Sequence, residues 1–298
     1  MTKKMLLLAA GMMCMAACGK IEVVEPSGAD GTTVTEEAGK TKKFTFTLKG
    51  DFSDQWKPVT RGYLQADGKD LTDVWVLDYM DGNIVQQVHQ SDNTAEDFGK
   101  PVMNLSYGSH HVYFIASRGQ GAALDTDAKT ITFSKVLDTF YKDYEVSVVS
   151  TSNGNRAVTL DRVVTRLRLT FTDEIPSNAA TFNVTPTSWH YGWNYVTGVP
   201  AATATSQSVV VNIPSTSIGK TGEYVNVFGF STAAEWTTDI AFNSKTSGGD
   251  VLGQATITAA PFMANRSTEY SGPLFGSPDY EVTMGLNTEW TTVITGTW

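Results

Sequence analysis

Cysteine is almost missing from this chain: Cys14 and Cys18 are the only two in 298 residues. A fold built on the residues after Cys18 has no disulfide to staple it, so packing and strand pairing must hold it together. Long apolar runs are also scarce. The longest, Met5 to Met15, is well short of the roughly 20 residues a membrane-crossing helix needs. Positive charge is in deficit, with 22 Lys and Arg against 31 Asp and Glu and a net charge of −9. Nucleic acid is therefore not an expected partner, because displacing its counterions needs a basic footprint. Histidine occurs at only four positions, His89, His110, His111 and His190. His110 and His111 are neighbours on a predicted strand and point to opposite faces. No pair has metal-ligand spacing, and no Ser sits in a Gly-x-Ser-x-Gly elbow. Asp67-Gly68 and Asp125-x-Asp127 have the start of a calcium loop but lack the acidic ligands that should follow. Asp78 and Asp81 read as flanks of a turn. The sequence thus predicts no catalytic residue, no metal, no cofactor and no enzyme.

What is present begins at the N-terminus. Lys3-Lys4, an apolar core and Met15-Ala16-Ala17-Cys18 have the layout of a secretory leader. A Cys directly after two alanines is the lipoprotein version, a lipobox with Met in place of the commoner Leu. On this reading residues 1–17 are a removed signal peptide and Cys18 carries the acyl chains that hold the protein to the outer membrane. The alternative is an ordinary secretory signal cut near Ala17; both place the chain outside the cytoplasm. Residues 18–41 are polar and small, with Pro26, Gly28, Gly31 and Gly39 among acidic residues, and read as a tether.

From residue 42 onward no long stretch keeps a helical period. Alternation recurs instead. Phe44, Phe46 and Leu48 share one face, with Thr45, Thr47 and Lys49 on the other, the mark of a half-buried strand. Val74 to Met80 is apolar on both faces and so central; Asp81-Gly82 suits a two-residue hairpin, with Ile84 to Val88 returning. His111 to Ala116, Ile131 to Phe133 and Ala157 to Leu160 are further strands, and Val136 to Tyr144 is read as a helical turn or two. Near Asp161 the pattern changes to Arg162, Arg166 and Arg168 interleaved with aliphatic residues. The second half carries predicted strands at Thr181 to Val184, Ser188 to Val196, Ser208 to Ile213, Tyr224 to Phe230, Thr238 to Phe242, Ala255 to Thr258, Glu281 to Leu286 and Trp290 to Ile294. Many short strands with turn residues between them predict β-sandwiches. The expected domains are residues 42–160 and 161–298.

Trp189, Tyr191, Trp193 and Tyr195 occupy every second position of one predicted strand. Four rings on one face suit either a sandwich core or a platform for stacking on sugars. The second option defines an alternative function, a surface glycan-binding lipoprotein.

The order of several stretches resembles the fimbrillin superfamily of type V pili. These are Phe44 to Arg61, Leu71 to Gln90, Gly108 to Gly119, Thr159 to Pro176, Pro261 to Phe275 and the terminal Asn287 to Trp290, together with the lipobox. The resemblance implies an all-β chain of two tandem transthyretin-like, Greek-key β-sandwich domains, exported to the outer membrane surface. It also implies a structural role in adhesion, with other fimbrial subunits as partners and strand exchange as the means of assembly. The first strand, with Phe44, Phe46 and Leu48, is then the strand-exchange candidate. Arg61, in Thr60-Arg61-Gly62, matches the position where stalk subunits are cut by a protease; it is equally readable as a plain loop arginine. Cleavage there would sever the chain from its lipid. The chain's length is closer to that of anchor or accessory subunits, which stay lipidated and uncut. Trp290, Ile294 and Trp298 mark a C-terminal strand, readable as a donor to a neighbour or as the last strand of its own domain.

Overall fold

Alternation along the chain becomes strand almost throughout. The computed structural model describes residues 39–50, 71–201, 204–276 and 292–297. Among them the sole helical element is one 3₁₀ turn, Ser215–Ser217. The strands are β1 (Thr41–Gly50), β2 (Asp73–Met80), β3 (Asn83–Gln90), β4 (Val102–Ser106), β5 (Gly108–Ser117), β6 (Gln120–Asp125), β7 (Thr130–Lys135), β8 (Thr139–Val148), β9 (Asn155–Arg162) and β10 (Val164–Phe171). They continue as β11 (Ala179–Pro186), β12 (Trp189–His190), β13 (Gly192–Asn194), β14 (Val199–Pro200), β15 (Ala204–Thr205), β16 (Val209–Asn212), β17 (Glu223–Phe230), β18 (Trp236–Thr246), β19 (Val251–Phe262), β20 (Arg266–Gly272) and β21 (Thr292–Gly296). The protein is all-β, with its sheets stacked as sandwiches.

The first sandwich is one strip folded on itself, in the order β3-β2-β5-β8-β9-β1-β4. The fold lies at the β8–β9 contact, where only Phe140↔Arg162 and Tyr141↔Asp161 are in register. On either side, β4-β1-β9 faces β3-β2-β5-β8 across a core that includes Phe44, Phe46, Leu48, Val76, Met103, Phe114 and Leu160. The β2–β3 hairpin turns through Asp81 and Gly82, with φ of 51° and 76°. Both lie in the left-handed region that a two-residue hairpin of the right twist requires, and Asp and Gly tolerate it.

The second sandwich stacks β17-β10-β20-β21 on β16-β11-β18-β19. Leu167, Leu169, Phe171, Phe182, Val227, Phe242 and Phe262 fill it. A third apolar cluster joins residues from both parts of the chain: Leu77, Tyr79, Tyr113 and Ile115 on the outer face of β2 and β5, Ile131 and Phe133 on β7, Trp193 on β13, and Phe228 and Phe230 on β17. The sheet β14-β13-β7-β6 also draws on both parts.

Two local expectations are corrected. Val136 to Tyr144 holds no helical turn; it runs into β8, whose Phe140, Val146 and Val148 alternate into the first core beside half-buried Tyr144. Ser188 to Val196 is not one strand. It breaks at Tyr191 because β12 pairs with β15 whereas β13 crosses to β7. At the crossing, a Cβ on Gly192 would lie 2.9 Å from Thr132 Cγ2, so the chain passes at a separation that suits glycine. Strands β4, β6, β14, β15 and β20 were not predicted. Glu281 to Leu286 lies outside the described residues.

Candidate functional site

β1 is the element on which the functional reading turns. Its alternation puts Phe44, Phe46 and Leu48 wholly inside the first core, each 0% exposed. Phe46 meets the edge of Phe114 with ring centroids 5.0 Å apart and stands against Tyr144 at 6.1 Å. The Arg156 guanidinium lies over the Phe44 ring, 5.7 Å from its centroid.

The backbone is held from both sides. Thr41 to Thr45 pair antiparallel with β4, and Thr45 to Gly50 pair parallel with β9. Past the end of β4 the same edge continues through loop carbonyls: Phe46 N donates to Pro101 O at 3.0 Å and Leu48 N to Gly99 O at 3.2 Å. On the other side Thr45 N donates to Gly154 O at 2.7 Å. A Cβ on Gly154 would sit 2.3 Å from Lys43 O, so this close approach of backbones requires glycine. β1 therefore fills a slot between β4 and β9, at the N-terminal end of the described chain. Burying three such side chains is worth about 5–9 kcal/mol in all, at roughly 1.5–3 kcal/mol each.

The outer edge of β4 is itself covered. Gln86 Oε1 and Gln90 Oε1, from β3, accept hydrogen bonds from Asn104 N at 3.2 Å and Gly99 N at 3.0 Å. These carboxamides occupy backbone donors that would otherwise template a further strand.

The C-terminal strand β21 lies at the edge of its sheet, parallel to β20, with Ile294 opposite Thr268 and Gly296 opposite Tyr270. A Cβ on Gly296 would lie 2.4 Å from the Tyr270 ring. Within this molecule β21 is thus the last strand of its own sandwich. Cys18, Arg61, Trp290 and Trp298 lie outside the described residues, as does the side chain of Ile294.

The aromatic stripe is dispersed. Trp189 is buried in the second core, where its Nε1 donates to Phe228 O at 2.9 Å. Trp193 and Tyr195 are buried in the third cluster, and Tyr191 is half-buried between the two. Burial lifts the Tyr191 phenol to about 12. Buried rings on a broken strand leave no face on which a sugar could stack.

Among polar residues, Asp78 is not a turn residue. It is buried on β2, and its Oδ1 lies 2.8 Å from His110 Nδ1. Loss of solvent around it holds its carboxyl above the ordinary 3.8, against the lowering effect of the His110 bond. His110 Nε2 lies 2.9 Å from the Ser106 carbonyl, so it donates there and ties β5 to the end of β4. Asp125 serves its turn: Oδ1 accepts from the amides of Asp127 at 3.0 Å and Ala128 at 2.8 Å. The arginines near residue 161 are structural. Arg162 grips Asp138 at 2.7 and 3.1 Å and reaches Asn265 at 2.9 Å. Arg166, fully buried, binds Ser267 at 2.9 Å and Glu269 at 2.7 Å. Sequence reading also missed that β5 and β8 bring His111 beside Asp143 and Glu145. Among the described residues no helix is long and apolar enough to cross a membrane.

No family model and no curated protein matches the sequence. Solved structures are similar in fold. One is a proposed adhesin from Bacteroides ovatus, 13% identical, with 72% of this chain and 77% of that chain covered and a TM-score of 0.45. Another is a proposed cell adhesion protein from Bacteroides fragilis, 11% identical, with 82% and 94% covered and a TM-score of 0.43. A third is the tip fimbrial protein Mfa3 from Porphyromonas gingivalis with a C-terminal truncation, 14% identical, with 72% and 82% covered and a TM-score of 0.36. TM-scores below 0.5 leave these as likenesses without weight for function.

Proposed function

We propose that this chain is a structural, non-catalytic subunit of a surface fimbrium, delivered to the outer membrane by a lipid on Cys18. It joins other fimbrial subunits through the slot now filled by β1. The observation that carries this reading is the seating of β1. One short strand near the N-terminus plugs an apolar groove with Phe44, Phe46 and Leu48, all fully buried, and both backbone edges of the slot are engaged. If β1 leaves, β4 and β9 become open edges over bare core, a template that another chain's strand can complete. Cleavage after Arg61 would release the segment that contains β1.

Domain limits of 42–160 and 161–298 belong to the same proposal. In support, among the described residues the first core draws on residues up to Leu160 and the second on residues from Leu167. The glycan-binding alternative gains nothing from Trp189, Trp193 and Tyr195, which are buried.

Mass analysis of the N-terminus in surface material tests the reading. Gly62 as the first residue of assembled protein is the outcome that exchange through the slot requires. Assembled protein that keeps β1 and a lipidated Cys18 throughout would contradict use of the slot while leaving an anchor role. Recovery of monomer alone under mild extraction would contradict assembly altogether.

A further inference from the structure

The outer face of the first sandwich gathers three metal-ligating side chains that no functional reading above uses. His111 on β5 stands across the ladder from Glu145 on β8, and Asp143, opposite Tyr113, lies two residues away on the same face. His111 Nδ1 is 3.1 Å from Asp143 Oδ1 and 3.4 Å from Oδ2. One ligand atom from each of the three residues lies within 4.8 Å of the other two. The positions are set by the register of two paired strands rather than by loops, so little ordering is left to be done on binding.

The trio has a closed side and an open side. Tyr113, 5% exposed, packs its ring against His111 with centroids 6.1 Å apart. On the solvent side the His111 and Asp143 side chains are 48% and 35% exposed, so an ion has access.

We propose that His111, Asp143 and Glu145 form a site for one divalent first-row cation of the zinc class. One imidazole and two carboxylates are a donor set that zinc accepts, and three protein ligands leave a coordination position for water or for a group from a partner. Calcium, which takes six to eight oxygens, is poorly served by this set. The inference does not depend on strand exchange.

Calorimetric titration of the full-length mature protein with zinc chloride, after chelator treatment, tests it. One saturable site is expected, lost in His111→Ala and weakened about tenfold or more in Glu145→Gln. His89→Ala, which removes the other exposed His–Asp pair (His89 Nε2 to Asp73 Oδ1, 2.8 Å), should bind as the parent does. Circular dichroism confirms that each variant is folded. No saturable zinc binding at millimolar zinc overturns the proposal. Equal binding by His111→Ala, or tighter binding of calcium than of zinc, overturns it as well.

Discussion

The hydroxyls of Tyr79 and Tyr195 lie 2.9 Å apart inside the protein, joining strand β2 to the chain just past β13. Tyr141 adds a second tie, its hydroxyl donating to the Tyr195 carbonyl at 2.7 Å. Burial drives the Tyr195 phenol far above its ordinary value, and its bond with Tyr79 adds to the effect. Both rings sit in the third apolar cluster, which covers the outer face of β2 and β5 with residues from β7, β13 and β17. A sandwich face that would otherwise be wet is in this way made into core.

Removing one hydroxyl of that pair strands the other. Tyr195→Phe is expected to cost about 1–3 kcal/mol of unfolding free energy, the desolvation penalty of an unsatisfied buried group. Tyr79→Phe should cost a similar amount. The double variant should lose less than the sum, because it leaves no polar group without a partner. Urea denaturation of the three variants measures this coupling.

Phe46→Ala opens a cavity beneath β1, between Phe114 and Tyr144. A loss of about 3–5 kcal/mol is expected from truncating a fully buried phenylalanine. Thr47→Ala, on the opposite face of the same strand, should change stability by less than about 0.5 kcal/mol. Thermal or chemical unfolding followed by tryptophan fluorescence separates the two.

Asp138 and Arg162 form a nearly buried two-pronged ion pair, with side chains 5% and 6% exposed. Asp138→Ala removes the carboxylate that the nearly buried guanidinium grips and is expected to cost about 3–5 kcal/mol. A replacement of both residues by apolar ones of similar volume should be far milder. Comparing the single and double variants by urea midpoint checks the claim.

Asp78 gives a pH dependence with a defined sign. Its carboxyl holds a proton to higher pH in the folded protein than its ordinary 3.8, chiefly because it is desolvated. A group with a raised folded value binds more protons when folded, so its contribution is fully present below the unfolded value and is lost as pH rises through the folded one. The stability of the parent relative to Asp78→Asn should therefore fall as pH is raised from about 4. Urea midpoints of both proteins across that range test the sign; a difference that grows with pH would refute it.

Much of the fold was legible in the alternation itself. Phe44, Phe46 and Leu48 are core in the sequence pattern and core in the structure because a pleated strand allows only one inward set. The Asp81-Gly82 hairpin was legible because its backbone conformation demands those residue types. β20 was missed because Arg266, Ser267 and Thr268 are polar; they are buried through hydrogen bonds with Thr165 and Arg166 on β10 and an ion pair between Arg266 and Glu235. The break at Tyr191 was missed although Gly192 sits at it, because a lone glycine in a strand pattern does not reveal that the partner changes from β15 to β7. His111, Asp143 and Glu145 could not be grouped from one sequence, since their meeting depends on the β5–β8 register rather than on spacing.

Locking β1 in place tests the proposed slot most directly. Lys43 on β1 faces Asn104 on β4. Their backbone amides do not bond each other, since Asn104 N donates to Gln86 and a Cβ on Gly154 would meet Lys43 O. Such a non-bonded antiparallel pair brings Cβ atoms within reach of a disulfide, and no cysteine follows Cys18 to compete. The variant with Lys43→Cys and Asn104→Cys should fold, stay out of surface assemblies when oxidised, and enter them once a reductant is added. Equal entry of the oxidised and reduced protein into the assembly would contradict exchange through the β1 slot.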